Sequence, residues 1–300
     1  MWFLIALLGY LLLAIVFVMD KIVVSKSEIK PATYTFYSTV FMLGLVVLVP
    51  FGIGFLHGMD WLWAAVSGLS FGFALWTIYI AMKHGETSHI SPFNGAMLTV
   101  FIYVIANLFL SERLTFIQGC GVSILVIASL LLSSEKSRAH HGFHIGFVWA
   151  LISGLLFAIS HSAAKYIYGI YPFWTGFVWT RLFIGVVGLI ALCLPSVWQS
   201  LKKKKSESKQ YAHKHATSIV VVDKVLSVGS VVLLQYAMSI GSVTLVNALG
   251  GLQYVFLFML VYVLTKLFPK IFNEYFTKQE IKVEIIAIVL VAIGSLLFVL

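Results

Sequence analysis

About ten stretches of roughly 17–25 mostly apolar residues, each closed by charged or turn-forming residues, govern what this chain can fold into. Crossing about 30 Å of hydrocarbon at about 1.5 Å per residue takes roughly 20 residues of helix, which these stretches supply. Backbone N–H and C=O groups in lipid must pair within their own segment, so runs of this length are expected to be helices rather than strands. Charged residues make up only 10% of the 300 residues and hydrophobic ones 61%. A soluble domain carries about 25% charged residues and could not hide so much apolar surface. The expected fold class is therefore an all-α membrane protein with about ten transmembrane helices. Little chain is left over for a soluble domain, so any chemistry belongs inside the bundle or on short connections.

The expected spans are about Trp2–Met19, Tyr34–Phe55, Trp61–Met82, Ser88–Leu110, Phe116–Leu132, Ile145–Tyr168, Phe173–Trp198, Ser218–Ile240, Val243–Lys266 and Val283–Leu300. Trp61, Trp63, Trp174 and Trp198 fall near span ends, where an interfacial aromatic belt lies. The first apolar run has no basic region before it, which favours a retained helix over a cleaved leader. Cys120 and Cys193 both lie in apolar spans and offer neither a disulfide framework nor metal-ligand spacing. The formal charge of +9 comes largely from span ends and from one dense run, Lys202 to Lys205 with Lys209 and Lys214. Basic residues so placed meet lipid headgroups, and no nucleic-acid partner is expected.

The two halves align in order. Ala14…Lys21 matches Ala158…Lys165, and the segment from Pro31 matches that from Pro172, which sets Thr39 on Thr180 and Gly44 on Gly185. Ala81-Met82-x-x-Gly85 matches Ala237-Met238-x-x-Gly241, placing Ser91 on Asn247 and Gly95 on Gly251; Glu112-x-x-Thr115 then matches Glu274-x-x-Thr277. An odd number of helices per half makes the second half enter from the opposite side. The expectation is two five-helix inverted-topology repeats, residues 1–134 and 145–300, with a connecting loop at 135–144 and the Lys-rich loop at 200–217.

These residues resemble a known family. Tyr79-x-Ala81-Met82-x-x-Gly85-x-x-Ser88-x-x-Ser91-Pro92, followed by an apolar helix and Glu112-Arg113-Leu114-Thr115-x-x-Gln118-x-x-Gly121, resembles the EamA repeat of the drug/metabolite transporter superfamily. The second half resembles it through Ala237-Met238-x-x-Gly241, Asn247, Glu274-x-x-Thr277 and Gly294. Arg181 stands where that repeat often carries an arginine, whereas the first half has Val40 there. The resemblance implies a ten-helix inverted-repeat fold and movement of small metabolites, with no particular substrate named. It also implies both termini in the cytoplasm. Sixteen of the twenty Lys and Arg, however, sit on the opposite face from the termini, and the positive-inside rule then puts the termini outside.

Polar groups within hydrocarbon are costly unless paired or facing a wet cavity, so they are the candidate functional residues. Arg181 lies about 13 Å into its span, too deep to snorkel; it reads as a cavity cation for an anionic group or as a structural ion-pair partner. His161 is the histidine well inside a span and reads as a substrate donor, a proton carrier or an interhelical hydrogen bonder. Tyr79 and Gln235 occupy equivalent repeat positions, as do Ser91 and Asn247, with Asn94 and Gln253 further along their helices. Repeat-related polar positions would converge near the pseudo-two-fold axis, where inverted-repeat transporters bind substrate; each also has the plainer reading of an interhelical hydrogen bond. Asp20 and Asp223 are the candidates for coupling to H+ or Na+, with an interfacial placement as the alternative. Ser91-Pro92 and Gly250-Gly251 are expected to interrupt their helices, and Glu112 to cap a helix end.

The expected function is a secondary transporter, directed to export, moving a small metabolite such as an amino acid by alternating access in the cell membrane. It needs no cofactor and works as a monomer with membrane lipids around it. The alternatives are a lipid flippase on the same fold and an intramembrane enzyme. The latter lacks H-E-x-x-H, G-x-S-x-G and clustered acidic residues, and no G-x-x-x-x-G-K-[ST] loop points to ATP drive.

Overall fold

In the computed structural model, residues 1–24, 30–84, 87–133, 145–200, 216–267 and 278–297 are described. Among them the structure is helical, without strands. The helices are α1 (Trp2–Val24), α2 (Pro31–Thr39), a 3-10 segment (Val40–Phe51), α3 (Asp60–His84), α4 (Thr87–Phe109) and α5 (Phe116–Ser133). There follow α6 (Ile145–Ile170), α7 (Phe173–Leu192), α8 (Ala216–Ile240), α9 (Val243–Ala248), α10 (Gly251–Leu267) and α11 (Lys278–Leu296). Among the described residues, 8 helices are long and apolar enough to cross a membrane, counting α2 with its 3-10 continuation and α9 with α10 as one span each. The chain is a multi-pass membrane protein.

Three spans depart from simple α-helices, each for a local reason. The second changes from α to 3-10 at Val40, where β-branched valines, Gly44 and Pro50 disfavour a regular α-helix. At about 2 Å of rise per residue, the 12-residue segment reaches further than the same residues would as α-helix. It stops at Gly52, whose φ of 93° is left-handed backbone that glycine tolerates. The seventh span is interrupted after Leu192, because Pro195 disfavours helical backbone at Leu194, and helix resumes over residues 195–200. The ninth breaks at Leu249-Gly250 into α9 and α10, the interruption expected from the paired glycines. The one expected at Ser91-Pro92 is absent: Pro92 lies near the start of α4, where its missing N–H frees only a carbonyl of the first turn, and the helix runs on through it.

Packing rests on small residues. α6 lies between α3 and α4, α7 packs against α3 and the 3-10 segment, α1 pairs with α8, and α11 with α5. The α3–α7 contact is made by Gly68-x-x-x-Gly72, a small-residue stripe of the kind that lets helix backbones meet. A Cβ on Gly68 would come within 2.5 Å of the Thr180 carbonyl oxygen, and one on Gly72 within 2.5 Å of Val187. On the other face of α7, a Cβ on Gly185 would lie 2.6 Å from Leu43, and one on Gly188 2.9 Å from the Val40 nitrogen. α7 is thus clamped on two sides, and its position fixes that of Arg181.

Candidate substrate site within the helix bundle

Arg181 sits near the middle of α7 with 1% of its surface exposed. Its guanidinium carbon lies 4.8 Å from the Phe71 ring centroid on α3 and 6.0 Å from that of Phe177, one turn back on α7. Cation–π attraction of this kind is worth about 2 kcal/mol or more when desolvated, which offsets part of the cost of burial. The Tyr168 phenol of α6 stands beside the guanidinium. No described carboxylate pairs with it, and neither Nε nor Nη2 meets a described acceptor.

A short polar chain continues from Tyr168. Its hydroxyl donates to Gln235 Oε1 on α8 at 2.9 Å, and the Gln235 amide nitrogen lies 3.4 Å from His161 Nδ1 on α6. With Oε1 taken by the phenol, the amide N–H faces His161, whose Nδ1 then accepts. His161 stacks on Phe157, at 12° between planes, and meets Phe71 edge-on at 80°. Phe157, His161 and Tyr168 stand four and seven residues apart on α6 and so share one face of that helix. The cluster therefore draws on α3, α6, α7 and α8.

Of the sequence candidates, His161, Arg181 and Gln235 are brought together, while Tyr79, Asn94 and Asn247 find separate partners. Tyr79 donates to Ser38 on α2 at 3.1 Å and meets the Tyr34 ring edge-on. Asn94 donates to the Ala150 carbonyl on α6 at 2.8 Å. Asn247 turns its amide back to the Val243 carbonyl at 2.8 Å and to Met238 Sδ at 3.1 Å. Gln253 is buried on α10. The side chains of Asp20 and Asp223 lie outside the described residues, as does Glu274.

Tyr168 and Phe71 were not among the candidates. The seven-residue spacing from His161 to Tyr168 could have marked the first. The glycine pair flanking Phe71 on α3 could have marked a helix contact beside the second.

The break between α8 and α9 is held from both sides. Lys165 Nζ of α6 donates to the carbonyls of Met238, Ser239 and Gly241, at 2.9, 3.1 and 2.7 Å. It satisfies the orphan C-terminal acceptors of α8 and complements the negative end of its dipole. Glu112, from the α4–α5 connection, accepts from the Ser242 hydroxyl and the Thr244 N–H at the start of α9, the capping role expected of it. Near the same end of the bundle, the Tyr171 hydroxyl donates to Asp60 Oδ2 at 2.7 Å and accepts from the His57 N–H at 2.9 Å. The bond to Asp60 holds the Tyr171 phenol above its ordinary pKa.

Apart from the polar cluster, a cavity of about 300 Å³ lies between α3, α4 and α6, lined by residues that include Trp63, Ile105, Phe109, Ile159, Ser162 and Tyr166. It is almost wholly apolar and does not include Arg181.

Residues 1–134 match the EamA-like transporter family. A 77-residue stretch is 34% identical to a Sinorhizobium sp. protein described as an uncharacterized transporter in the cobO 3′ region, covering 25% of this chain and 53% of that protein. The chain thus spans about half the length of the curated relative it matches. A crystal structure of another protein superposes over 99% of this chain and 94% of its own, with a TM-score of 0.65 at 15% identity, which is a likeness of fold alone.

Proposed function

From the match of residues 1–134 to the EamA-like transporter family, we propose that the chain is a secondary transporter of that family, carrying a small metabolite such as an amino acid or related compound. It works as a monomer in the cell membrane with export as its direction. Two five-helix inverted repeats, residues 1–134 and 145–300, supply about ten crossings and rock around a buried site in alternating access. The observation that carries this reading is the Arg181–Tyr168–Gln235–His161 cluster. It places a buried cation and a polar chain among four helices, at a depth where polar groups are costly unless used. Arg181, Gln235 and His161 are assigned to substrate, with Tyr168 added to them. Tyr79, Asn94, Asn247 and Gln253 are assigned to helix packing. Asp20 and Asp223 remain the positions at which H+ or Na+ coupling would act. The basic connections face the cytoplasm.

The test is a thermal-shift screen of detergent-purified protein against amino acids, nucleosides, sugars, lipids and cationic drugs. A ligand at 100 times its Kd stabilises by about 2.7 kcal/mol. A soluble hit that disappears with Gln235→Ala supports the central site, and one unaffected by it removes the cluster from transport. The flippase reading draws on the apolar cavity beside Trp63 and Phe109; stabilisation by lipids alone would move the assignment there.

A further inference from the structure

The Arg181 guanidinium has an unused edge. Nε and Nη2 lie on the same side of the guanidinium plane's outline, and together they form the side-on pair that meets a carboxylate through two parallel N–H···O bonds. Both are buried and neither meets a described acceptor. The ring of Phe71, 4.8 Å from the guanidinium carbon, covers part of the group without using this edge. A structural arginine would have these donors matched by carbonyls or a carboxylate, since each orphan donor in a buried site is costly. Lys165, one turn beyond His161 on α6, shows the contrast: its ammonium is engaged by three carbonyls.

The surroundings restrict what could meet that edge. Phe71, Phe157 and His161 form an aromatic wall, with Phe71 and Phe157 edge-to-face at 5.1 Å between centroids, and the Phe177 ring centroid lies 6.0 Å from the guanidinium carbon. Aromatic groups favour such edge-to-face and offset arrangements with a further ring. The arginine is the cluster's one fixed charge among the described residues, and no described carboxylate stands ready to meet an ammonium. In a low-dielectric site, a zwitterion would bring a second positive charge near the first without compensation, whereas a net anion would not.

We infer that the substrate class is a monocarboxylate with a flat aromatic body, its carboxylate gripped by the Nε–Nη2 edge of Arg181 and its ring laid against Phe71 and Phe157. This rests on the reading that the Arg181 cluster is where cargo binds. Within that reading it selects the related compounds over amino acids themselves: carboxylates that lack the ammonium and are therefore net anions. Gln235 and Tyr168 then position the wall and the guanidinium rather than carry charge.

The experiment uses the full chain in lipid nanodiscs and four probes that differ by one feature each: 3-phenylpropanoate, 3-phenylpropanamide, phenylalanine and propanoate. Calorimetric binding and thermal shift are read for wild type, Arg181→Lys, Arg181→Met and Gln235→Ala. The expected result is that 3-phenylpropanoate binds at least tenfold more tightly than the other three. Arg181→Lys, which keeps the charge and loses the two-pronged edge, weakens it at least tenfold. Arg181→Met abolishes binding yet raises the melting temperature, because an unpaired buried cation has been removed; a lowered melting temperature would mark the arginine as structural and overturn the assignment. Equal binding of the amide, still lost in Gln235→Ala, overturns the carboxylate class; equal binding of phenylalanine, which keeps the carboxylate and adds an ammonium, overturns the restriction to net anions; either leaves the site in place. Probe binding that survives both the Arg181 and Gln235 substitutions overturns the site itself. No binding of 3-phenylpropanoate at millimolar concentration overturns the class.

Discussion

Replacing Gly68 by Ala tests whether the α3–α7 contact sets the position of Arg181. The added Cβ would lie 2.4 Å from Phe183 Cβ, 2.5 Å from the Thr180 carbonyl oxygen and 2.9 Å from the Ile184 nitrogen. Two of these three neighbours are backbone, so no side-chain rotation relieves the clash. Restoring an ordinary 3.4 Å contact takes about 1 Å of local helix separation, in an interior packed too densely to give so much freely. Overpacking of this kind costs about 1–3 kcal/mol, and backbone collision belongs at the upper end. Alanine recovers about 1 kcal/mol of helix propensity relative to glycine, leaving a net loss of about 2 kcal/mol. For a chain of this size that is a fall in Tm of roughly 4 °C. Gly229→Ala on α8 is the control, since nothing lies within 4 Å of its added Cβ, and it should be neutral or stabilising. Tm would be read by intrinsic fluorescence in one detergent for all variants. Because α7 carries Arg181, Gly68→Ala should also weaken any ligand that Gln235→Ala weakens. Equal Tm values for Gly68→Ala and Gly229→Ala would refute the claim that backbone contact at Gly68 holds the two helices together.

Two other perturbations test the end of the bundle that holds Lys165 and Tyr171. Lys165→Met removes three charge-assisted bonds to the end of α8; since one ammonium serves all three and is only half-buried, the expected loss is roughly 2–3 kcal/mol rather than a full sum, with Lys165→Arg retaining part of it. An unchanged Tm for Lys165→Met would show that water or another cation serves those carbonyls equally well. Tyr171 holds its proton more tightly in the folded protein than in the unfolded chain, so its contribution is present at ordinary pH and is lost as pH rises through the raised folded value, above the usual phenol value of about 10. Phenolate absorbance, differenced against Tyr171→Phe, should titrate at lower pH in Asp60→Asn than in wild type; coincident curves would mean that Asp60 does not hold the phenol.

The membrane class and most spans were legible because hydropathy accumulates along the chain and needs no knowledge of neighbours. Gly250-Gly251 likewise marked a break through its own backbone chemistry, whereas Ser91-Pro92, read the same way, lies inside an unbroken α4, and the changes at Val40 and after Leu192 were not anticipated. Arg181 was identifiable from depth alone, since a guanidinium that far from a span end has to face protein or water. What sequence could not decide is which helices face which, because that depends on rotation about axes that small-residue contacts set. Asn247 and Gln235 look alike in the sequence as polar residues in spans. In the fold, Asn247 satisfies its amide on its own helix through the Val243 carbonyl, whereas Gln235 reaches across to Tyr168 and His161. Lys165 serves as a helix cap only because the end of α8 comes to rest beside α6. The sequence by itself determined a lipid-embedded helical chain and the deep cation within it. The tertiary structure alone decided which polar groups gather around that cation, because hydrogen-bond partners are chosen by proximity in space and not by position along the chain.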